Sequence, residues 1–322
     1  MSSIRDALSS TWLKESFLLG VDLTLDDGSP YPDTIYEQSI SAAIAYLQHE
    51  LGINIDTRDV MNERHDAIDL HRNAWWPIRL DQRPVLEVTA FKIKFGAYEP
   101  VTIPVSWCQL LSKEHGQVHL IPSEEQLGSY LFRAGVPLIM GDTMTPYSYI
   151  PGYFELDYRC GFEMRQGVDT IADGTNTVDI VFSTPMLTND YFIDYVEYNK
   201  VGLGRLEIIN RTLEGFTFQS QLAAAGGNGE LTWGVTTVPA DIKHVIGLKA
   251  GLLPLDIAGD LIAGAGVANY SIGADGVHQS LGTTSSATNS GYGARRLAFE
   301  RELKSLLPAL RAKYKTMNFG VI

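Results

Sequence analysis

Cysteine is scarce in this sequence. Cys108 and Cys160 stand far apart in 322 residues, with no CxxC pair and no histidine-rich context around either. That speaks against a disulfide framework and fits a reducing cytoplasm. Cations are also in deficit: 25 Lys and Arg face 38 Asp and Glu, a net charge of −13. A free-standing sequence-specific DNA reader is usually basic, so composition argues against one. Long apolar runs are lacking. The longest, Gly251 to Val267, is interrupted by Pro254, Asp256 and Asp260, which makes a poor membrane span. The opening residues MSSIRDALSSTWLKES carry no apolar run of the signal-peptide kind.

Catalytic signatures are missing as well. HExxH, GxSxG and the Walker pattern do not occur. Gly264-Ala265-Gly266 is a fragment of a dinucleotide motif, but it follows a helical pattern rather than a strand and has Asn269 at the last position. Of the seven histidines (His49, His65, His71, His115, His119, His244, His278), only His115 and His119 are four apart, in HGQVH, which reads as a strand edge. Glu63, Arg64, His65, Asp66, Asp69 and His71 form a polar cluster, read as solvated surface rather than a metal site. Asp256 and Asp260 would share a helix face, where paired carboxylates can do acid–base work or hold a divalent ion. The polar side of an amphipathic helix is the plainer reading. The sequence therefore predicts no enzyme, cofactor or metal.

What is present is a hydrophobic content of 45%, ample for a core. The chain is organised around Ala240–Tyr314. An apolar helix with Ile242, Ile246, Ala250, Leu253 and Ile257 near one face is followed by a hairpin over Tyr270–Ser280. A second helix then carries Phe299, Leu303, Leu306, Leu310 and Tyr314. Asp275-Gly276 is a favoured turn pair. Gly282 to Gly293 is nearly all Gly, Ser, Thr and Asn, a run that cannot bury a core and that a partner would order. From Ala294 to Lys315 seven cations face Glu300 and Glu302, a local +5 that leaves −18 on the remainder. Such a helix is either a solvated face or a docking surface.

Upstream, residues 3–18 suggest a helix with Ile4, Leu8, Trp12 and Phe17. Thr34 with Glu37 suggests an N-cap for a helix bearing Tyr36, Ile40, Ala43, Ile44, Leu47 and Leu51, stopped at Gly52. Residues 58–70 are strand-like or irregular. Strands are expected over 85–95, 101–111, 116–121 and 153–158, the last with Phe154, Leu156 and Tyr158 on one apolar face. From Gly167 the composition shifts to short strands and Asn/Asp/Gly turns, suggesting a β-sandwich over 168–237. Tyr191, Phe192, Tyr195, Tyr198 and Trp233 could stack on a sugar there, but alternation favours core packing.

Together these segments resemble a known family. The chain shows WLKESFLLGVDLTLDDGSPYPDTIYEQSISAAIAYLQHELGI, LDQRPVLEVTAFKI and IPGYFELDYRCGF. It also shows a helix followed by GDLIAGAGVANYSIGADGVHQS, TTSSATNSGYGAR and a basic helix. In that order they are similar to head–tail connector (neck adaptor) proteins of tailed bacteriophages, over roughly residues 10–165 and 240–320. Residues 168–237 resemble small β-sandwich modules of phage tail and fibre proteins.

The resemblance implies an α+β fold: a connector body from residues 1–166 and 238–322, with 168–237 inserted as a β-sandwich. It implies a structural virion protein of the neck, assembled in the host cytoplasm. That protein would form a ring, twelve-fold in the family, beneath the portal protein, and would meet the next neck or tail protein. Its acidic surface would let genomic DNA pass without sticking. Docking to the portal would fall to Arg311, Lys313, Tyr314 and Lys315 with the tail residues Met317, Phe319, Val321 and Ile322. Contacts between subunits or with the channel would fall to Ile272, Asp275, Gly276, Val277, His278 and Tyr292. The alternatives are a tail-completion or other neck protein, and a carbohydrate-binding adhesion module.

Overall fold

A computed structural model describes residues 8–25, 27–68, 77–94, 100–121, 149–199, 206–224, 226–263, 269–274, 277–282 and 292–315. In chain order these form helix α1 (Ser10–Ser16), helix α2 (Asp33–Leu51) and strands β1 (Arg58–Ile68), β2 (Ile78–Arg79), β3 (Val85–Ile93) and β4 (Val101–Ile103). Strands β5 (Cys108–Ser112), β6 (Gln117–Leu120), β7 (Tyr149–Cys160), β8 (Met164–Ile171) and β9 (Thr177–Val181) follow. After them come β10 (Phe192–Tyr198), β11 (Leu206–Arg211), β12 (Gly215–Ser220) and β13 (Gly229–Thr236). Helix α3 (Ala240–Ala263), strands β14 (Asn269–Ala274) and β15 (Val277–Gly282) and helix α4 (Gly293–Tyr314) complete the order. All the ladders among these strands are antiparallel, so the α+β class read from the sequence holds. The chain gathers into two compact units, Met1–Leu51 with Met164–Ala312, and Gly52–Glu163 with Lys313–Ile322.

In the first unit α3 is buried on nearly every side. Ile242, Val245, Ile246 and Ala250 are fully buried, and Leu248, Leu255 and Ala258 nearly so. A helix apolar all round belongs in a core. Its core set differs from the expected stripe: Leu253 is 44% exposed, and Val245, Leu248 and Leu255 take core places. Two glycines let neighbours approach. A Cβ on Gly247 would lie 2.1 Å from the Phe17 ring, and one on Gly251 would lie 2.8 Å from Phe299. Pro254 interrupts the helix. Proline has no N–H to give to the carbonyl four residues back. That carbonyl, of Ala250, instead accepts the hydroxyl of Ser39 from α2, a residue only 4% exposed. The packing of α2 on α3 thereby fills the gap that the proline opens.

Helix α2 buries Tyr36, Ile40, Ala43, Ile44, Leu47 and Leu51, the expected stripe. It begins one residue before the expected cap, so Thr34 sits inside the first turn. Asp33 opens the helix, where a carboxylate suits the positive end of the dipole, and it pairs with Lys14 at 2.7 Å. Gly52 follows the last turn at φ +65°, a left-handed stop. Helix α1 covers only part of the span expected over 3–18. Ser9 caps it, accepting the Trp12 N–H at 3.2 Å.

The strands of this unit form two sheets, β10-β13-β8 and β11-β12-β9. They share one apolar cluster running from Ile171 to Val235, with Phe182, Tyr191, Phe216 and Trp233 in mutual ring contact.

The second unit carries the sheets β1-β7-β3-β4 and β2-β6-β5 around another core, which includes Leu80, Val85, Phe91, Val118 and Leu156. The strand expected over 101–111 is divided. Pro104 leads into a 3-10 turn at Val105–Trp107 that buries the indole before β5 begins. In β7 the apolar face is as expected, but Glu155 and Asp157 on the opposite face are also buried, at 3% and 6%. Lys92 bridges the two carboxylates at 3.4 Å each, Lys94 pairs with Glu155, and Arg64 reaches it at 3.5 Å. Lys94 first, then Lys92, holds the Glu155 carboxyl below its usual range.

Candidate docking and interface sites

The end of α4 is held by cations from its own chain. Arg83 is 9% exposed and donates from Nη1 to the Tyr314 carbonyl at 3.0 Å. Arg79 Nη2 reaches the Lys315 carbonyl at 3.5 Å. The last carbonyls of a helix have no internal donors and carry its negative pole, so two guanidiniums there cap and neutralise it. Burial lowers the Arg83 pKa. The side chain fits because Gly116 leaves room: a Cβ there would lie 2.8 Å from Arg83 Cγ. The Arg83–Pro84 peptide is cis.

The loop that offers Arg83 is itself anchored. Glu63 accepts the Asp81 N–H at 2.9 Å, the Tyr158 hydroxyl at 2.5 Å and the His65 imidazole at 2.7 Å. The Gln82 N–H bonds to the Tyr158 oxygen at 3.0 Å. Burial opposes ionisation of Glu63, but the bonds from His65, Tyr158 and Asp81 outweigh it and keep the carboxyl below its usual range. Burial, first, and the Glu63 carboxylate push the Tyr158 phenol up. The polar cluster read as solvated surface is thus partly a structural network. Asp66 accepts the Gly152 N–H at 2.6 Å, while Asp69 and His71 lie outside the described residues.

Of the expected docking residues, Tyr314 is buried at 1% with Lys313 Nζ 5.1 Å from its ring centroid. Lys313 and Lys315 are exposed. Arg311 is engaged within the first unit, where Nε and Nη2 meet Glu50 at 2.7 and 2.6 Å. Met317, Phe319, Val321 and Ile322 lie outside the described residues. The roles of Arg79, Arg83 and Glu50 were missed. Arg83 stood in the RPV motif, but nothing local tied it to a helix 231 residues away.

The hairpin forms as the Asp-Gly pair predicts. Ala274 faces Val277, Gly273 faces His278 and Ile272 faces Gln279, while Asp275 and Gly276 themselves are outside the described residues. The Tyr292 hydroxyl accepts the Asp22 N–H at 2.9 Å, tying the start of α4 to the segment after α1.

The other chemical candidates have structural partners. Asp256 pairs with Arg296 at 2.7 Å, and burial raises its pKa; Asp260 is exposed. His244 bonds Glu302 at 2.7 Å and lies 5.6 Å from the Phe17 ring. His115 bonds Ser112 at 2.8 Å, burial lowers the His119 pKa, and His49 is exposed. Burial pushes the Cys108 and Cys160 thiols up to about 12 and about 11, which suppresses the reactive thiolate. No group of three His, Cys, Asp or Glu side chains suited to a metal ion occurs among the described residues.

Among the aromatics of residues 168–237, Tyr191 and Trp233 are core, Tyr195 and Tyr198 are half-buried and Phe192 is 41% exposed. A shallow groove of about 290 Å³ is lined by Asp179, Val181, Asn210, Thr212 and Glu214 and by none of those five aromatics, although the Tyr191 hydroxyl bonds the Thr212 carbonyl behind it. The Asp194 carboxylate on β10 is buried against Lys243 of α3, and burial raises its pKa against the pull of that lysine.

No family model and no curated protein matches the chain. Two solved structures are similar over half of it. One is described as the virion of a native gene transfer agent (GTA) particle. It is 16% identical, the match covering 50% of this chain and 69% of that one, at a TM-score of 0.28. The other is described as the neck of an empty GTA particle computed with C6 symmetry. It is 16% identical over 50% of this chain and 68% of that one, at a TM-score of 0.26.

Proposed function

We propose that this chain is a structural protein of a phage-type virion neck. It would be a head–tail connector subunit that assembles into a ring, twelve-fold as the resemblance implies, beneath a portal protein. Binding is its chemistry, and it is not an enzyme. The observation that carries the reading is that two of the segments bearing the resemblance, the Arg-Pro-Val strand and the strand into Gly-Phe, pair directly within the second unit. The Arg-Pro-Val strand β3 pairs with β7, the strand running into Gly161-Phe162, from Val85↔Cys160 to Ile93↔Phe154. Helix α3 leads into the hairpin and then into basic α4, and the Arg-Pro loop holds the carboxyl end of α4. Within the second unit the Arg-Pro loop and the last residues of α4, far apart in sequence, are thus joined.

In this reading Lys313 and Lys315 set approach and register toward acidic groups on the portal, and the apolar tail supplies the buried anchor. Arg311 instead holds α4 to α2 through Glu50. The hairpin and the loop after it contact neighbouring subunits or the channel. Residues 168–237 are an insertion, a reading supported by the separate apolar core from Ile171 to Val235.

The test is portal binding by the full chain and by a variant lacking Asn318–Ile322. Loss of binding with an unchanged melting temperature is expected. Retained binding would end the docking model, and joint loss of binding and stability would mean that the tail folds back on the body.

A further inference from the structure

Charge on the described surface is mostly internally paired, so the exceptions are informative. On α4, Arg295 donates to the Phe17 and Leu19 carbonyls, Arg296 meets Asp256 and Glu300, and Arg311 meets Glu50. Arg301 and Lys304, one turn apart and both exposed, have no side-chain hydrogen bond or ion pair among the described residues. Beside them lie exposed Ala298, Ser305 and Pro308, small or short side chains that let another surface come close.

A counterpart of opposite sign lies on the outer face of sheet β10-β13-β8. Glu197 of β10 stands opposite Thr232 of β13, and Glu230 is two residues along β13 on the same face. Both are exposed, and neither carboxylate has a partner among the described residues. Val168 on the other edge strand, β8, flanks Thr232 on the side away from Glu197 and is 55% exposed.

We propose that this acidic sheet face receives the Arg301/Lys304 face of α4 from a second copy of the chain. The proposal rests on the ring reading above and names the surface that would close it. The spacing matches. Residues three apart on a helix have Cβ atoms about 5–6 Å apart. A diagonal cross-strand pair such as Glu197 and Glu230 lies about 7–8 Å apart. Long Arg and Lys side chains span the difference. Val168 supplies an apolar flank beside the carboxylates, and the charges supply register. Because the two patches differ and do not pair within one chain, the contact is heterologous, the type that generates rings when the rotation closes.

A charge swap on the full chain tests it, with assembly followed by analytical ultracentrifugation. Arg301→Glu with Lys304→Glu should weaken self-association tenfold or more, and so should Glu197→Lys with Glu230→Lys. The four changes together should restore it to within about threefold of the parent. The neutral set Arg301→Gln with Lys304→Gln should give a smaller loss that 0.5 M salt reproduces in the parent. At concentrations where the parent is monomeric, melting temperatures should stay at the parent value, since every changed residue is exposed.

A parent that assembles while both reversed variants assemble equally well would overturn this surface and leave the ring reading standing. Two reversed variants that fail and are not rescued in combination would also overturn it. A parent that stays monomeric at every concentration would remove the ring reading and this proposal together.

Discussion

The two long helices of this chain differ in what they touch, although both are over twenty residues and both contain an internal proline. Helix α3 is enclosed. Helix α4 buries Leu303, Leu307, Leu310 and Tyr314 on one stripe and exposes Arg301, Lys304, Pro308 and Lys313 on the other. The prolines show the same division. Behind Pro254 the freed carbonyl takes the buried Ser39 hydroxyl, whereas Pro308 sits on the solvent side, where water can serve. One helix is enclosed by its neighbours, and the other buries a single stripe while leaving a face outward.

That contrast breaks most readily in α3. Ile246→Ala removes a fully buried side chain, and a loss of about 2–5 kcal/mol is expected in denaturant melts. A loss below 1 kcal/mol would mean that the site is not packed as described. Ser39→Ala should cost about 1–3 kcal/mol, because it leaves the Ala250 carbonyl buried without a donor. A neutral result would show that the proline gap needs no filling.

Some of this was legible in the sequence. The stripe of α2, the Gly52 stop, the apolar alternation of β7 and the Asp-Gly hairpin are local patterns, and periodicity finds them. The contacts that set the helices apart are not local. Ser39 and Ala250 are 211 residues apart, and Arg83 and Tyr314 are 231 apart. Even within α4 the pattern misled: Leu307 is buried at 8% while Leu306 and Phe299 are only half-buried, since both lie near the edge of the stripe and only packing decides between them. Glu63 and His65 looked like solvated surface and Tyr158 like part of an apolar face, because the strand pairing that brings them together cannot be read from either strand alone.

A pH titration sharpens the comparison at the carboxyl end of α4. The folded-state pKa of Glu63 lies below its unfolded value of 4.5. Its contribution is therefore complete above pH 4.5 and is lost as pH falls through the folded value. The Glu63→Gln variant should be less stable than the parent at pH 7, and the two should converge toward pH 3. A gap that stays constant with pH would remove Glu63 from the support of the Arg83 loop. The smallest effect belongs to the exposed face: Arg301→Ala or Lys304→Ala should change subunit stability by no more than about 0.5 kcal/mol. A larger loss would mean that these cations are tied into the fold.

The central claim is that the chain works as a repeating unit of a ring, and electron microscopy of the purified full chain over a range of concentrations tests it most directly. The account predicts closed, rotationally symmetric rings that appear as concentration rises. Particles that remain single subunits across the whole range, with portal protein present or absent, would contradict it.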